Sequence, residues 1–524
     1  MKRIKNLKYK ALPLICSVFM TSCSEDIMDR INKDNNHLTD VSAKLIVTDV
    51  MTSTAFSMVG GDISTYVSTY IEHEVGCHNQ LFRAESRNGE PSNSTTFNNT
   101  WGSGYTTLKN ALLVVNKCSD GGSDAGNYIT KGIGEVLVAY NLALMTDMFG
   151  DIPWSEACDL NVSMTPKIDK QEAIYEDVFK YLDSAIENLE GTNIVPLGKQ
   201  DFIYGGDKTL WSKAAHGLKA RYQLRFINKA TDKDAILKSI VENVDKSFAS
   251  ADEQMSFNIY TGSNINPLFG FFWARIAVAG SMSMYDKLSE RNDPRANTSF
   301  IDGNDQVIIT PSSAADLVPL AENGKVAQGQ LDNASSIFCA AQTASTHLLS
   351  YHEICFIKAE ALARLGRTDE AKEALKLGIA AAFENTALSV KSALASTRWG
   401  GFEVPEDTPT LTTALANDYF DNNVSSLFDA NPLKEIMVQK YIAMFGANGE
   451  AVESYNDVRR LISNNEDFIE LKNPNNKDKD GNNRFPLRLP YGNDDVTTNP
   501  NVNSVFGDGL YIYNENVWWA GGQR

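Results

Sequence analysis

The sequence predicts a mostly α-helical protein, a solenoid-like stack of helix hairpins interrupted by long irregular loop insertions. Three observations lead there. Residues 128–189 read as a buried helix, a long turn and an amphipathic helix folded back on it. Two further helix pairs follow the same plan, at residues 354–379 and 433–461. Stretches rich in Asn, Ser, Gly and aromatic residues, without helical periodicity, separate the pairs. With 524 residues, 43% of them hydrophobic, the chain can bury a large core, and disorder is not the default. Nothing marks a linker or a low-complexity run, and one extended helical domain fits as well as two.

The first 22 residues stand apart. Lys2, Arg3, Lys5, Lys8 and Lys10 form a basic segment, and residues 11–20 form an apolar one. About ten apolar residues are too few to span a bilayer, but they suit a secretory signal peptide. Met20-Thr21-Ser22-Cys23 then resembles a bacterial lipobox, with Met20 where such motifs usually carry Leu. Cys23 is therefore expected to become the lipidated N-terminus. Ser24-Glu25-Asp26 resembles the acidic tag that sends lipoproteins of the Bacteroides group to the cell surface. No later run is long and apolar enough to cross a membrane, so lipid is the expected anchor.

The elements follow in order. Residues 36–59 begin with a cap-like Asn-His-Leu-Thr-Asp run and turn helical, residues 66–83 are aromatic and polar, and residues 89–100 are a Ser-, Thr- and Asn-rich loop. Residues 101–117 read as a helix with Trp101, Tyr105, Leu108, Leu112 and Val115 on one side. In the central pair, Ile129, Ile133, Val136, Leu137, Tyr140, Leu144 and Met148 recur at spacings of three and four and stack on one face. Val138, Leu142 and Met145 make the other faces apolar, so this helix is expected to be buried nearly all round. Gly150 can end it in a left-handed conformation, and Pro153 blocks its resumption. Asp169 is placed to cap the second helix, with Glu172 completing an Asp variant of the capping box. Ile174, Val178, Leu182, Ala185 and Leu189 give that helix its apolar stripe.

Trp211, Ala215, Leu218, Tyr222 and Phe226 mark the next helix, and Lys219, Arg221 and Arg225 gather toward its end, where they complement the helix dipole. Residues 236–248 make its partner. Residues 264–280 concentrate Phe269, Phe271, Phe272, Trp273 and Arg275 without clean periodicity, and residues 292–295 form a turn. Ile354, Ile357, Ala361 and Leu365 then run to Gly366, and Thr368 is expected to cap a helix carrying Ala371, Ala374, Leu375 and Ile379. Its string AEALARLGRTDEAKEAL looks like a single tetratricopeptide repeat, in which small residues let two helices pack closely. Residues 433–445 and 451–461 form a third pair, and beyond Asn473 the chain becomes Asn-, Asp- and Pro-rich coil.

Composition and motifs narrow the chemistry. A net charge of −18 argues against nucleic-acid binding, which needs a basic stripe. Of seven cysteines, Cys16 leaves with the signal and Cys23 carries lipid. The remaining five, Cys77, Cys118, Cys158, Cys339 and Cys355, cannot all pair within the chain and are expected mostly as small buried hydrophobes. His73-Glu74-Val75-Gly76-Cys77-His78 lacks the four-residue His spacing of a zinc protease, and no metal site is assigned to it. Gly121-Gly122-Ser123-Asp124-Ala125 misses a nucleophile elbow by one position, and Gly132 and Gly134 start a helix rather than a phosphate turn. Residues 476–481 alternate oxygen ligands before a glycine. Leu487 stands where an EF-hand needs a carboxylate, which excludes that motif and leaves open a structural calcium ion near Asp478 and Asp480. No carboxylate pair is singled out by spacing, so no catalytic residue is assigned.

Two stretches are candidates for ligand contact. Phe271, Phe272 and Trp273 could stack on sugar faces or peptide side chains, with Arg275 supplying charged hydrogen bonds. His78, Asn79, Gln80, Phe82 and Arg83 form a second polar and aromatic group. The alternative for both is that the rings fill the core.

Several motifs occur in an order that points to a family. GDIPWSEA (residues 150–157) is followed by a helix of the EAIYEDVFKYLDSAIENL kind. DFIYGGDKTLWSKAAHGLKARYQLRF (201–226), NDPR (292–295), ICFIKAEALARLG (354–366) and EIMVQKYIAMFG (435–446) come next. Asp457-Val458-Arg459-Arg460 and RFPLRLPYGNDDVTTNPNV (484–502) close the series, with Val458 where Trp is common. Together they resemble the SusD/RagB family of nutrient-binding outer-membrane lipoproteins. The resemblance implies that residues 23–524, after a signal peptide at 1–22, form a single SusD-like, tetratricopeptide-like helical binding domain. It implies an outer-membrane lipoprotein on the cell surface that binds an oligosaccharide or oligopeptide without breaking a bond and without a cofactor. Such a protein delivers its ligand to a SusC-like TonB-dependent transporter, over which it closes as a lid. The shared motifs are mostly packing and capping residues and carry no substrate identity. Two other classes remain to be separated by experiment: a surface glycan hydrolase or lyase on a helical scaffold, and a purely structural helical-repeat adaptor.

Overall fold

The computed structural model describes residues 41–88, 95–159, 161–302, 307–310, 319–330, 332–399 and 401–523. The expected signal peptide and Cys23 lie outside the described residues. From Ala43 onward the chain forms one compact unit with a continuous hydrophobic core.

Helix α1 (Ala43–Ser53) runs through a π-helical turn (Thr54–Val59) toward α2 (Asp62–Tyr70), and β1 (Glu74–Gly76) leads into α3 (Asn79–Glu85). Then come α4 (Asn98–Cys118), α5 (Tyr128–Phe149), α6 (Gln171–Leu189), α7 (Lys208–Arg225) and α8 (Lys233–Asp245). A less regular stretch holds the helices α9 (Pro267–Arg275) and α10 (Met282–Ser289) and the short antiparallel strands β4 (Met255–Phe257), β5 (Val278–Gly280), β6 (Phe300–Asp302), β7 (Val307–Ile308), β8 (Ser335–Ser336) and β9 (Thr346–Leu349). Beyond it lie α11 (Tyr351–Arg364), α12 (Thr368–Leu394), α13 (Thr413–Tyr419), α14 (Ser425–Ala430), α15 (Pro432–Ala443) and α16 (Ala451–Ser463). The chain ends in the short helices α17 (Asn493–Thr498), α18 (Pro500–Phe506) and α19 (Tyr511–Asn514). Each helix of the main stack packs on the next: α1 on α4, then α5, α6, α7, α8, α11 and α12, with α15 laid across the last two. This is the hairpin solenoid that the periodicity predicts. No helix among the described residues is long and apolar enough to cross a membrane.

Helix α5 is the hub. From Gly132 to Phe149 every residue is buried, as its all-round apolarity requires. Gly132 and Gly134 admit its neighbours: a Cβ at Gly134 would lie 2.8 Å from Val114 of α4, and one at Gly132 2.8 Å from Leu189 of α6. Gly150 ends the helix at φ 81°. The cap of α6 differs from expectation. Asp151, not Asp169, accepts from Gln171 N at 2.9 Å. The reason is a hairpin, β2 (Ile152–Pro153) with β3 (Ile168–Asp169), which turns Asp169 back to accept from Trp154 N and Ser155 N at 3.0 and 2.7 Å. Thr368 likewise begins α12 without a side-chain cap.

Arg221 and Arg225 also serve a different end from the helix dipole. Both are buried. Arg221 Nε donates to Glu353 at 2.8 Å, and Arg225 pairs with Glu453 of α16 and with Asp147 of α5. The third expected pair opens up: α16 leaves α15 to pack on α2, and Lys440 spans the gap to Asp457 at 2.6 Å. Helix α16 buries Val452, Tyr455, Val458 and Leu461 in the core and, beside them, an unusual number of polar groups, including Glu453, Asn456, Asp457, Arg459 and Arg460, whose ionic partners help set its place. The C-terminal coil closes over the end of α5, where Leu489 N donates to Met148 O and Trp519 Nε1 to Asp147.

Candidate ligand-binding site

One antiparallel pairing brings both candidate ligand stretches to the same edge. In β1 and β5 (Val278–Gly280), Gly76 faces Val278, and Cys77 N donates to Ala277 O at 2.9 Å. The register sets His78 opposite Ile276. Helix α3, with Gln80, Phe82 and Arg83, thus leaves the ladder where α9 arrives.

Helix α9 is held at its start. Asn266 Oδ1 accepts from Leu268 N and Phe269 N, Pro267 takes the first turn, and Asn266 Nδ2 donates to Ala344 O and Ala447 O. It stops at Ile276, whose φ of 43° is left-handed and strained for a β-branched residue. Its side chains divide sharply. Phe269 is buried, and Phe272 is 8% exposed and lines an internal cavity with Phe338 and Phe445. Phe271 is half-buried with the Arg275 guanidinium 5.9 Å above its ring. Trp273 is 41% exposed. Burial raises the nearby Asp62 carboxyl, against the pull of Arg275.

Trp273 does not stand alone. It stacks on Phe269 (6.2 Å, 11°) and meets Trp399 edge-on (6.2 Å, 67°), and Phe402 lies 6.3 Å beyond Trp399 at 19°. These last two rings come from the loop after α12. Gln342 joins both segments: its carbonyl accepts from Asn266 N at 2.9 Å, and its Oε1 accepts from Thr397 N at 2.9 Å and from Ser396 Oγ at 3.2 Å. The result is a row of rings in which Trp273 is exposed and Trp399 and Phe402 are half-buried, while Arg275 lies over Phe271 on another face of α9. Trp399 and Phe402 escaped the reading of the sequence, although aromatic residues flanking Gly400-Gly401 just past a helix were a usable signal.

The second group is less open. His78, Gln80 and Phe82 are half-buried, Asn79 and Arg83 are exposed, and Phe82 makes no ring contact with the tryptophan row among the described residues. The His73-to-His78 run serves the core. His73 packs on Tyr441 and Phe445, with burial pushing its imidazole down to about 3, and burial pushes the Cys77 thiol up to about 12. A buried, protonated thiol at Cys77 does not suit a zinc ligand. All five described cysteines are free thiols. Among the described residues no group of three His, Cys, Asp or Glu side chains converges to hold a metal. Asp478 is engaged by its own loop, accepting from Asp480 N and Asn482 N at 2.9 Å.

A larger groove, about 650 Å³, lies between α4, the turn after Pro153 and α17. Its rings are committed to the fold: Trp101 Nε1 donates to Asp495 at 2.9 Å and Tyr105 OH to Pro153 O at 2.7 Å. Trp101 is buried and offers little face.

The SusD-like_2 family, described as "Starch-binding associating with outer membrane", matches residues 35–492. A SusD/RagB family protein of Bacteroides thetaiotaomicron has a crystal structure 46% identical in sequence. The match covers 93% of this chain and all of that one at a TM-score of 0.88. A chitin-binding protein (20% identity, 92% of this chain and 100% of that one, TM-score 0.70) and a SusD homologue of Bacteroides fragilis (18%, 92% and 100%, 0.68) share the fold. No curated protein matches the chain.

Proposed function

The chain belongs to the SusD-like family, a non-catalytic binding family of the outer membrane, and from that premise we propose that it is a cell-surface lipoprotein that captures an oligosaccharide and passes it to a SusC-like TonB-dependent transporter. Cys23 carries the lipid in this reading. The observation that supports it is the row of Trp273, Trp399 and Phe402, of which Trp273 is exposed. The exposed Trp273 indole presents a broad apolar face to the C–H surface of a sugar, with Trp399 edge-on behind it, and Arg275, exposed on the same helix, can donate to hydroxyls. The family's description as starch-binding, and the chitin-binding protein that shares the fold, support a glycan before a peptide.

The test is calorimetry of the mature chain with α-glucan oligosaccharides, chitin oligosaccharides and oligopeptides, repeated with Trp273→Ala. Binding of a glycan that Trp273→Ala weakens, with no release of new reducing ends, supports the reading. Binding of peptides alone, or glycan binding indifferent to Trp273, overturns it. Crosslinking in native membranes followed by mass spectrometry tests the transporter: absence of any TonB-dependent barrel among the products removes that part.

A further inference from the structure

Among the described residues, the arginine side chains are held by other protein groups, with the exception of Arg83, Arg275 and Arg398. Arg460 donates to Glu360, Arg484 to the Arg87 carbonyl, and even the exposed Arg367 donates to Glu370 at 2.7 Å. With 66 acidic residues against 48 basic ones, a partner is close to hand almost anywhere on the surface. Arg83, Arg275 and Arg398 are exposed, and none of them makes an ion pair or a side-chain hydrogen bond with a described residue.

These arginines gather at one corner. Residues 273–276 are all exposed, so the last turn of α9 projects into solvent, with Trp273 toward Trp399 on one side and Arg275 over Phe271 on the other. Arg398 adjoins Trp399, and Gln342 fixes that segment through Thr397 N at 2.9 Å. Arg83 lies on α3, about 8 Å along the helix from His78, which the β1–β5 register sets opposite Ile276. Asn79, four residues before Arg83, shares its exposed face. The acids of this corner do not neutralise the three by contact. Arg275 stands beyond ion-pair distance of Asp62, whose carboxyl burial pushes up, and Glu403, past Phe402, pairs with none of them.

We propose that the glycan held at this corner is acidic, with carboxylates or sulfates that Arg83, Arg275 and Arg398 receive while Trp273 stacks on a sugar ring. A planar guanidinium meets such a group with two parallel charge-assisted hydrogen bonds, stronger than those it gives to a neutral hydroxyl. Cations on both sides of Trp273 suit a chain that carries an acid in its repeat rather than at one end. The overall negative charge of the protein does not oppose this. At physiological salt, screening acts over about 8 Å, so a bound anion senses the guanidiniums beside it far more than distant carboxylates. The proposal rests on the glycan reading of the tryptophan row and adds to it the charge of the ligand.

The experiment is calorimetry of the mature chain at low and high salt. The acidic probes are oligogalacturonides, which carry carboxylates, and chondroitin sulfate oligosaccharides, which add sulfates. The neutral probes are fully methyl-esterified oligogalacturonides and maltohexaose, and polyglutamate tests an acidic peptide. The double variant Arg275→Gln with Arg398→Gln removes charges that no protein group uses, so its fold is expected to be intact, with an unchanged melting temperature. The expected result is an acidic oligosaccharide that binds about tenfold or more tighter than either neutral one, and that weakens about tenfold in the double variant and further as salt rises. The two acidic probes tell carboxylate from sulfate. Neutral glycans bound as tightly as acidic ones, an acidic glycan indifferent to the double variant, or neither acidic glycan bound overturns the proposal. Neutral glycan binding that Trp273→Ala removes and the arginine variant spares leaves the glycan reading standing and ends this one, whereas binding of polyglutamate alone ends both.

Discussion

Arg460 donates two nitrogens to the two carboxylate oxygens of Glu360, at 2.6 and 2.7 Å, and neither side chain is exposed at all. Arg364 adds a third bond to Glu360 at 2.8 Å, and Asp457 accepts from Arg460 at 3.0 Å. Burial alone would raise the Glu360 carboxyl, but the Arg460 and Arg364 guanidiniums override it and hold it well below the usual range. The pair fastens α16 to α11 alongside the apolar residues that α16 gives the core. Removing one partner leaves the other charged and buried, so Arg460→Met is expected to cost about 3–5 kcal/mol in guanidinium unfolding, and the double change Arg460→Met with Glu360→Met clearly less. A single-mutant loss no larger than that of a surface ion pair would refute the anchoring role.

Glu74 behaves in the opposite sense. Burial pushes its carboxyl up to about 8, against a hydrogen bond from Ser336. The native state therefore keeps a proton that the unfolded chain, with its carboxyl near 4.5, has already released. Between those values the native state binds more protons, so this group's contribution to stability falls as pH rises from 4.5 to 8. Glu74→Gln removes that slope: the mutant's stability relative to wild type should climb steadily across the window. A difference that stays flat from pH 5 to 8, measured by denaturant titration, would show that Glu74 is ionised in the native protein.

The helices were legible because each carries its own period, and α5 above all, since an apolar residue on every face leaves no alternative to burial. What the sequence left hidden depends on partners far along the chain. Asp169 has a good capping position, but the β2–β3 hairpin turns it toward Trp154 and leaves the cap to Asp151. Arg221 and Arg225 look like dipole-complementing residues until Glu353, Glu453 and Asp147 arrive from other helices. The surface site followed the same pattern. Trp273 stands out in its own segment, whereas Trp399 and Phe402 join it only through the Gln342 brace.

The turn after α5 offers a local test. Asp169 accepts from Trp154 N, Ser155 N and Ser155 Oγ, all within 3.0 Å, and so holds the whole 151–157 segment against β3. Asp169→Ala leaves two backbone donors without a carboxylate. Loss of such charge-assisted bonds at a partly exposed site is expected to cost about 1.5–3 kcal/mol. Limited proteolysis should cut first within residues 155–166. An unchanged cleavage pattern would mean the turn is held by its other contacts.

Phe272 and Trp273 are neighbours with opposite duties, and this separates packing from binding. Phe272 faces Phe338 and Phe445 inside, and Trp273 faces solvent. Phe272→Ala opens a cavity in the core and should lower stability by about 3–5 kcal/mol, with affinity at the surface row intact in the folded fraction. Trp273→Ala removes an exposed ring, so stability should change by no more than about 0.5 kcal/mol. Glycan affinity should drop about tenfold or more, equivalent to about 1.4 kcal/mol. Thermal unfolding and calorimetry on both variants read the two quantities independently. If Trp273→Ala instead lowers the melting temperature as Phe272→Ala does while affinity is spared, the row of rings is a buttress for the loop after α12 and the ligand binds elsewhere.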